Sequence, residues 1–377
     1  MEKQKKILNR TKYKNGSSKR IQQIKFNPDD EFYTSLNDIH QELNHYGTYF
    51  KGKNIICPCD CDILKDKPVH KIVIKFMQEP EEWYISPTGF IWRVDTLTYY
   101  TLEGEEYVPT VIVGDEARDF ISANICCNFI KAIVDIGEDY GVKSVTASGF
   151  DTVENKGIKF NEVDYSEYDL IITNPPFSQY KLFMHTIMPY VRNRKGSANP
   201  LDFIMLASFR NRGNPSVGLG LMLKEFYLGY GRHKNLNFYT ANKETGYKKK
   251  VVAVDWITTF DDAQRKCNET VRTTGVDYNL YKEDFKFIET ITMKDGTHPL
   301  RIAHQKSIPD NYNGWMQGSI GILTDLNTDE FDWYITNAKK YFNTVNPDFS
   351  PFAHKATNEM LNFHGIVFRR KKTLNIE

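Results

Sequence analysis

Asp169-Leu170-Ile171-Ile172-Thr173-Asn174-Pro175-Pro176-Phe177-Ser178 carries the clearest structural signal in the chain. Its short apolar run from Leu170 to Thr173 fits a strand buried on both faces, as strands of a parallel sheet are. Two prolines stop that strand. Each fixes φ and lacks an amide hydrogen, and each keeps the residue before it out of the α region, so Asn174 and Pro175 are extended. The pattern from Gln179 to Val191 then predicts a helix. Strand, stiff corner and helix make one βα unit of an open α/β sheet, with Asn174 at the carboxyl end of the strand, where such sheets hold ligands.

Working outward, Asn54-Ile55-Ile56-Cys57, Ser144-Val145-Thr146-Ala147, Asp202 to Ala207 and Val251 to Ile257 read as further strands. Ile39, Leu43, Tyr46 and Phe50 recur at helical spacing before Lys51-Gly52, and a second helix is expected around Ile121 to Ile136. The alternation predicts a Rossmann-like, doubly wound, mostly parallel α/β sheet. Residues 63–114 break it with strand-like pieces such as Lys71 to Phe76, Gly89 to Val94 and Val108 to Val113, and are expected to form an inserted β lobe. The expected organisation is a basic arm (1–28), a catalytic domain (29–62 and 115–260) around that lobe, and a loop-rich C-terminal region (261–377).

The diproline corner also implies a chemistry. It aims the Asn174 side chain and the Pro175 carbonyl outward as two acceptors. An amine that donates one hydrogen to each has its lone pair drawn out of ring conjugation and toward an electrophilic methyl group, with no acidic general base. Phe177 offers a flat face on which a base can stack, and Ser178 stands ready to cap the helix. Asn174, Pro175, Pro176 and Phe177 are therefore the expected catalytic residues. A proline-stiffened turn is the bland alternative, but the flanking strand, aromatic and helix favour amino-methyl transfer. The tetrad alone does not choose among the amines of adenine, cytosine, guanine or a glutamine side chain.

At 377 residues, with 40% hydrophobic and 26% charged residues, the chain has the composition of a soluble globular protein of two or three folding units. Its charged start has no apolar stretch behind it, so neither a secretory signal nor a membrane span is expected; the cytoplasm is, with reduced thiols. Cys57, Cys59 and Cys61 alternate, unlike the spacing of a zinc knuckle, so no metal is expected. The net charge of +1 hides an uneven distribution. Lys3, Lys5, Lys6, Arg10, Lys12, Lys14, Lys19, Arg20 and Lys25 crowd the start, and Arg369 to Lys372 crowd the end. Such segments on a near-neutral body suit DNA phosphates; a solvated tail is the plainer alternative.

Taken in order, Asp30-Glu31-Phe32-Tyr33-Thr34 and the helix after it, Gly52 to Asp60, Thr173 to Ser178 and Ile308-Pro309-Asp310-Asn311-Tyr312-Asn313-Gly314 resemble the EcoRI-type adenine-specific DNA methyltransferases. The likeness spans most of the chain apart from the arm and the inserted lobe. It implies a class I methyltransferase fold, S-adenosylmethionine as cofactor, adenine N6 in double-stranded DNA as acceptor, a C-terminal recognition region, and a cognate restriction endonuclease as a partner by function only. It also implies that Tyr33 and Thr34 reach across the cofactor, that the loop with Cys59 and Asp60 is its main seat, and that Asp164-Tyr165 lie near its adenine ring.

Physically, Asp60 or Asp62 is placed to hold the methionine ammonium, Tyr33 to lie against the sulfonium, and Ser148 to Asp151 to meet the ribose. The sequence departs from the family: no glycine-rich loop follows the first strand, Cys61 separates the two acids, and Ser122 and Asn124 must return to the site in space. Reaching a base in a duplex requires rotating it out, at roughly a few kcal/mol. Arg210, Asn211 and Arg212 are the expected contacts near the flipped base, with Arg232, Arg369 and Arg370 farther along, although surface salt pairs would explain the arginines equally well. The same fold acting on RNA or protein glutamine, or a DNA-binding protein without activity, are the alternatives.

Overall fold

The computed structural model describes residues 32–59, 69–77, 93–103, 106–151, 156–209, 211, 215–232, 234–240, 249–263, 276–280, 282–303, 307–319, 322, 330–335 and 365–371. Strand β1 (Phe32–Tyr33) leads into helix α1 (Leu36–Leu43). Ser35 caps α1: its Oγ accepts from Asp38 N and donates to the Asp38 carboxylate. Strand β2 (Asn54–Cys57) follows, then β3 (Val69–Phe76), β4 (Val94–Glu103) and β5 (Glu106–Val113). Helices α2 (Gly114–Asn124) and α3 (Asn128–Tyr140) lead to β6 (Ser144–Ser148) and a small hairpin of β7 (Phe150–Asp151) and β8 (Lys156–Gly157). The chain continues through β9 (Leu170–Thr173), α4 (Tyr180–Arg194), β10 (Asp202–Ser208), α5 (Pro215–Met222), β11 (Tyr227–Leu228), β12 (Lys234–Thr240) and β13 (Lys249–Thr258). Four later strands are β14 (Leu300–Arg301), β15 (Met316–Ser319), β16 (Phe331–Ile335) and β17 (Gly365–Arg370).

One large sheet, ordered β1-β12-β13-β10-β9-β2-β6-β3-β4-β5 with β11 beside β13, organises the first two thirds of the chain. Only β10, β9, β2 and β6 pair in parallel; every other pairing in this sheet is antiparallel. The expectation of a mostly parallel sheet therefore holds for its centre alone. Parallel neighbours need long crossovers, which the segments carrying α3 and α4 supply, whereas β3, β4 and β5 on one flank and β12 and β13 on the other are consecutive strands that return antiparallel.

The central strands are apolar throughout because both their faces are covered. On β2, β9 and β10, Ile55, Cys57, Leu170, Ile172, Ile204 and Leu206 face one core with Ile39 and Leu43 of α1 and Ile130, Ile133 and Val134 of α3. Their alternates Ile56, Ile171, Phe203 and Met205 face a second core with Phe183, Met184 and Ile187 of α4. The period of two thus divides each strand between two layers of helix.

The described strands of the segment expected as an inserted β lobe lie in the large sheet. β3 pairs directly with β6, from Lys71↔Ser148 to Lys75↔Ser144, and β4 and β5 extend the same sheet. Ile72, Ile74, Phe76 and Leu97 are buried in the first core, so the face that would have required a core of its own joins an existing one. Among the described residues β5 is an edge strand, paired through Tyr100↔Pro109 in mid-strand and exposing Val111 and Val113. A second sheet, β14-β15-β17-β16, forms in the C-terminal region around Leu300, Ile308, Met316, Ile366 and Phe368, with Met222 of α5 packed among them. Among the described residues no helix is long and apolar enough to cross a membrane.

Candidate active site

The amino ends of the central strands are tied down. Asn54 N donates to the Asp169 carboxylate at 2.9 Å, Asp169 N donates to Asn54 O, and Arg194 pairs with Asp169. At the opposite edge, the parallel registers bring together the ends of β2, β6, β9 and β10, so Cys57, Ser148, Thr173 and Ser208 share one rim. There Asn174 and Pro175 leave the sheet, Pro176 is extended at φ −55° and ψ 124°, and a 3-10 turn, Phe177–Gln179, precedes α4. The N-cap of α4 is Gln179, with no side-chain capping bond, so Ser178 does not serve as its cap.

Thr34 and Asn174 meet across 140 residues: Asn174 Nδ2 donates to Thr34 Oγ1 at 3.5 Å. Thr34 is 3% exposed, and its carbonyl accepts from Asn128 Nδ2 at 2.8 Å. The strand before it is fixed by the pairs Phe32↔Thr240 and Tyr33↔Tyr239. Phe177 is half-buried and meets the buried ring of Phe238 edge-on, with centroids 6.4 Å apart. The segment read from the sequence as reaching across the site is thus joined to the tetrad.

Glu42 secures α1 from behind. Its carboxylate is 1% exposed and accepts from Tyr46 Oη at 2.9 Å, Tyr230 N at 2.9 Å and Gly231 N at 2.6 Å. Burial pushes its pKa up, and the three donors pull it back only in part. Gly229 and Gly231 permit the approach: a Cβ on Gly231 would stand 2.5 Å from Trp256 Cδ1 and 2.8 Å from Glu42 Oε2. Neither Glu42 nor Asn128 was among the residues expected from the sequence. Glu42 lies in the apolar stripe beside Tyr46, which was a usable signal; Asn128 follows two cysteines at a helix start and gave none.

Other expected residues fall in varied places. Ser148 is 2% exposed and Thr173 fully buried, and neither hydroxyl has a hydrogen-bond partner among the described residues. Cys59 is half-buried against the second core. Tyr165 is fully buried in that core and donates to Phe160 O at 2.8 Å. Asp164 is exposed, and its carboxylate accepts from Ser166 N and Oγ, bonds that hold it below the usual carboxylate range. Ser122 and Asn124 bond back to carbonyls of their own helix. Asp60, Asp62, Arg210 and Arg212 lie outside the described residues.

Asn211 is half-buried just past the end of β10. Arg232 is committed to the fold, donating to Gly229 O, Leu228 O and Ala263 O. Arg369 pairs with Asp332 at 3.2 Å and lies over Trp315, while Arg370 pairs with Asp310 and Glu330. The Asp310-Asn311-Tyr312 motif holds the C-terminal sheet to a neighbouring loop, with Asn311 bonded to Tyr278 N and to the Asp277 carboxylate.

An Asn-Pro-Pro-Phe corner at the carboxyl edge of an α/β sheet, with the N-terminal segment bonded against it, is the arrangement expected of an amino-methyltransferase. The family described as "Adenine-specific methyltransferase EcoRI" matches residues 20–75 and 136–371, and the chain belongs to that family. The type II methyltransferase M.EcoRI of Escherichia coli is 21% identical over 329 residues, 85% of this chain and 89% of that protein. The protein is an S-adenosylmethionine-dependent DNA adenine methyltransferase. The rim suits that cofactor: an orphaned buried hydroxyl costs about 1–3 kcal/mol, and those of Ser148 and Thr173 lie where a ligand with ribose hydroxyls and a charged amino acid end would satisfy them. Residues 76–135, holding β4, β5, α2 and the start of α3, fall outside the family match.

Proposed function

We propose that the large sheet is a Rossmann-like class I methyltransferase core and that Asn174 Oδ1 and the Pro175 carbonyl accept the two hydrogens of an adenine N6 amine rotated out of the duplex. The observation that carries this reading is the bond joining Asn174 to Thr34, in the segment expected to reach across the cofactor. S-adenosylmethionine, when bound, supplies a methyl group on a sulfonium, an electrophile that needs no further activation. Ser148 and the backbone of the Thr34 segment hold that cofactor, with Cys59 and one of Asp60 and Asp62, so the Thr34 side chain is left to face Asn174. Phe177 stacks on the base, and the diproline corner keeps the two acceptors from relaxing away from the amine, so that orientation accounts for much of the rate. The proton on the methylated amine leaves to water, with no side-chain base.

The arm at 1–28 and the Arg210-Asn211-Arg212 loop neutralise phosphates near the flipped nucleotide, and residues 261–377 read the target sequence. Arg369 and Arg370 contribute only by exchanging their acidic partners for phosphates. Arg232 acts from within the fold. The setting is cytoplasmic, and a restriction endonuclease of the same specificity is the partner by function.

Incubation with methyl-labelled S-adenosylmethionine and mixed-sequence DNA, followed by digestion to nucleosides, tests the reading. Label is expected in N6-methyladenine. Label in N4-methylcytosine, or in RNA or protein and not in DNA, overturns it.

A further inference from the structure

We propose that Asn128 and Thr34 form a relay that sets which way the Asn174 amide faces, making both of them positioning residues for methyl transfer; the proposal rests on Asn174 being the acceptor described above. An asparagine amide has two ends of nearly equal size and opposite chemistry. Only its oxygen can accept from the target amine, and a reversed amide would set one NH2 group against another. Rotation about the last side-chain bond is broad, so the corner's stiff backbone does not choose between the two. Thr34 Oγ1 accepts from Asn174 Nδ2 at 3.5 Å and so holds the amide by its NH2 end, leaving Oδ1 for the target amine, and the bond can shorten once substrates close on the site.

Thr34 must itself stand still for this to work. At 3% exposure its hydroxyl is shielded from bulk water, and Asn128 Nδ2 fixes its carbonyl at 2.8 Å. The bonds join residues 94 and 140 positions apart, so three segments converge on one amide. The two inner members lie within the family match, and Asn128 lies in the segment outside it.

Single-turnover methylation and calorimetric titration with S-adenosylmethionine test the relay, with thermal unfolding as the check on folding. Thr34→Val keeps the shape and removes the acceptor. It is expected to slow transfer about ten- to a hundredfold while the cofactor dissociation constant stays within about threefold. Thr34→Ser restores most of the rate. Asn128→Ala slows transfer less, and combined with Thr34→Val it adds no further loss, as serial links require. Wild-type transfer by Thr34→Val beside an inactive Asn174→Ala overturns the relay and leaves the acceptor in place. A Thr34→Val loss that lies in cofactor affinity also overturns it, as does an additive double variant. An Asn174→Ala enzyme that still transfers at the wild-type rate overturns both the relay and the acceptor.

Discussion

In the proposed mechanism a single side chain, Asn174, separates a proline-stiffened turn from a catalyst. Its oxygen is there one of two acceptors for the target amine, and removing one such preorganised group typically costs about 10²–10³ in rate. Asn174→Ala is therefore expected to lower the methylation rate by about that factor while calorimetry finds cofactor affinity little changed; lost binding with retained turnover would refute the role. This residue was legible in the sequence because prolines constrain backbone on their own, without help from the fold. The burial of Tyr165 was not legible, for the opposite reason. An acid-aromatic pair before a strand looks the same whether the ring is exposed or packs inside, and only the fold shows its bond to Phe160 O and its full burial. Asn128 was illegible, because nothing local to a helix start says that its amide reaches a carbonyl 94 residues away.

At the scale of elements, α1 is only as well placed as its attachment to the turn at 229–231. Glu42→Ala leaves the Tyr230 and Gly231 amides without their acceptor, at about 2–4 kcal/mol, seen as a lower Tm and an unchanged fold by circular dichroism. The pH dependence has a definite sign. Burial raises the Glu42 pKa, so the folded chain holds this proton more tightly than the unfolded chain does. Its contribution is full below the ordinary glutamate value and is lost as pH rises through the raised value. Glu42→Gln should flatten that part of the stability profile, and a profile of unchanged slope in denaturant titrations would show that Glu42 does not titrate there. Gly231→Ala, which sets a methyl against Trp256 and the carboxylate, is expected to destabilise by about 2 kcal/mol or more. The central strands could be read in advance because a strand covered on both faces is apolar throughout. The antiparallel flanks could not, since alternation reveals which face of a strand is buried but not which strand lies beside it.

For the molecule as a whole, charge distribution matters more than the sum. A net charge of +1 gives little general attraction to DNA, so the proposed reading assigns much of the electrostatic contact to the basic residues of 1–28. Removing the first 25 residues is expected to weaken DNA binding and reduce the slope of log affinity against log salt by several units, measured by fluorescence titration. An unchanged slope would mean that the arm touches no phosphate. The C-terminal sheet was hidden in the sequence because its strands are short and far apart, with Gly365–Arg370 pairing back to Met316–Ser319. Long-range pairing of that kind leaves no local period strong enough to read. At the far side, the widened sheet ends in β5 with two exposed valines, the profile of a strand onto which another molecule could zip. Pro109 sits in its middle while the ladder to β4 runs on unbroken, so the missing amide hydrogen is one the outer row would have offered to a newcomer. The strand that enlarges the sheet also closes it to fibre-like growth, and Pro109→Val would reopen that route, visible as rising light scatter at high concentration.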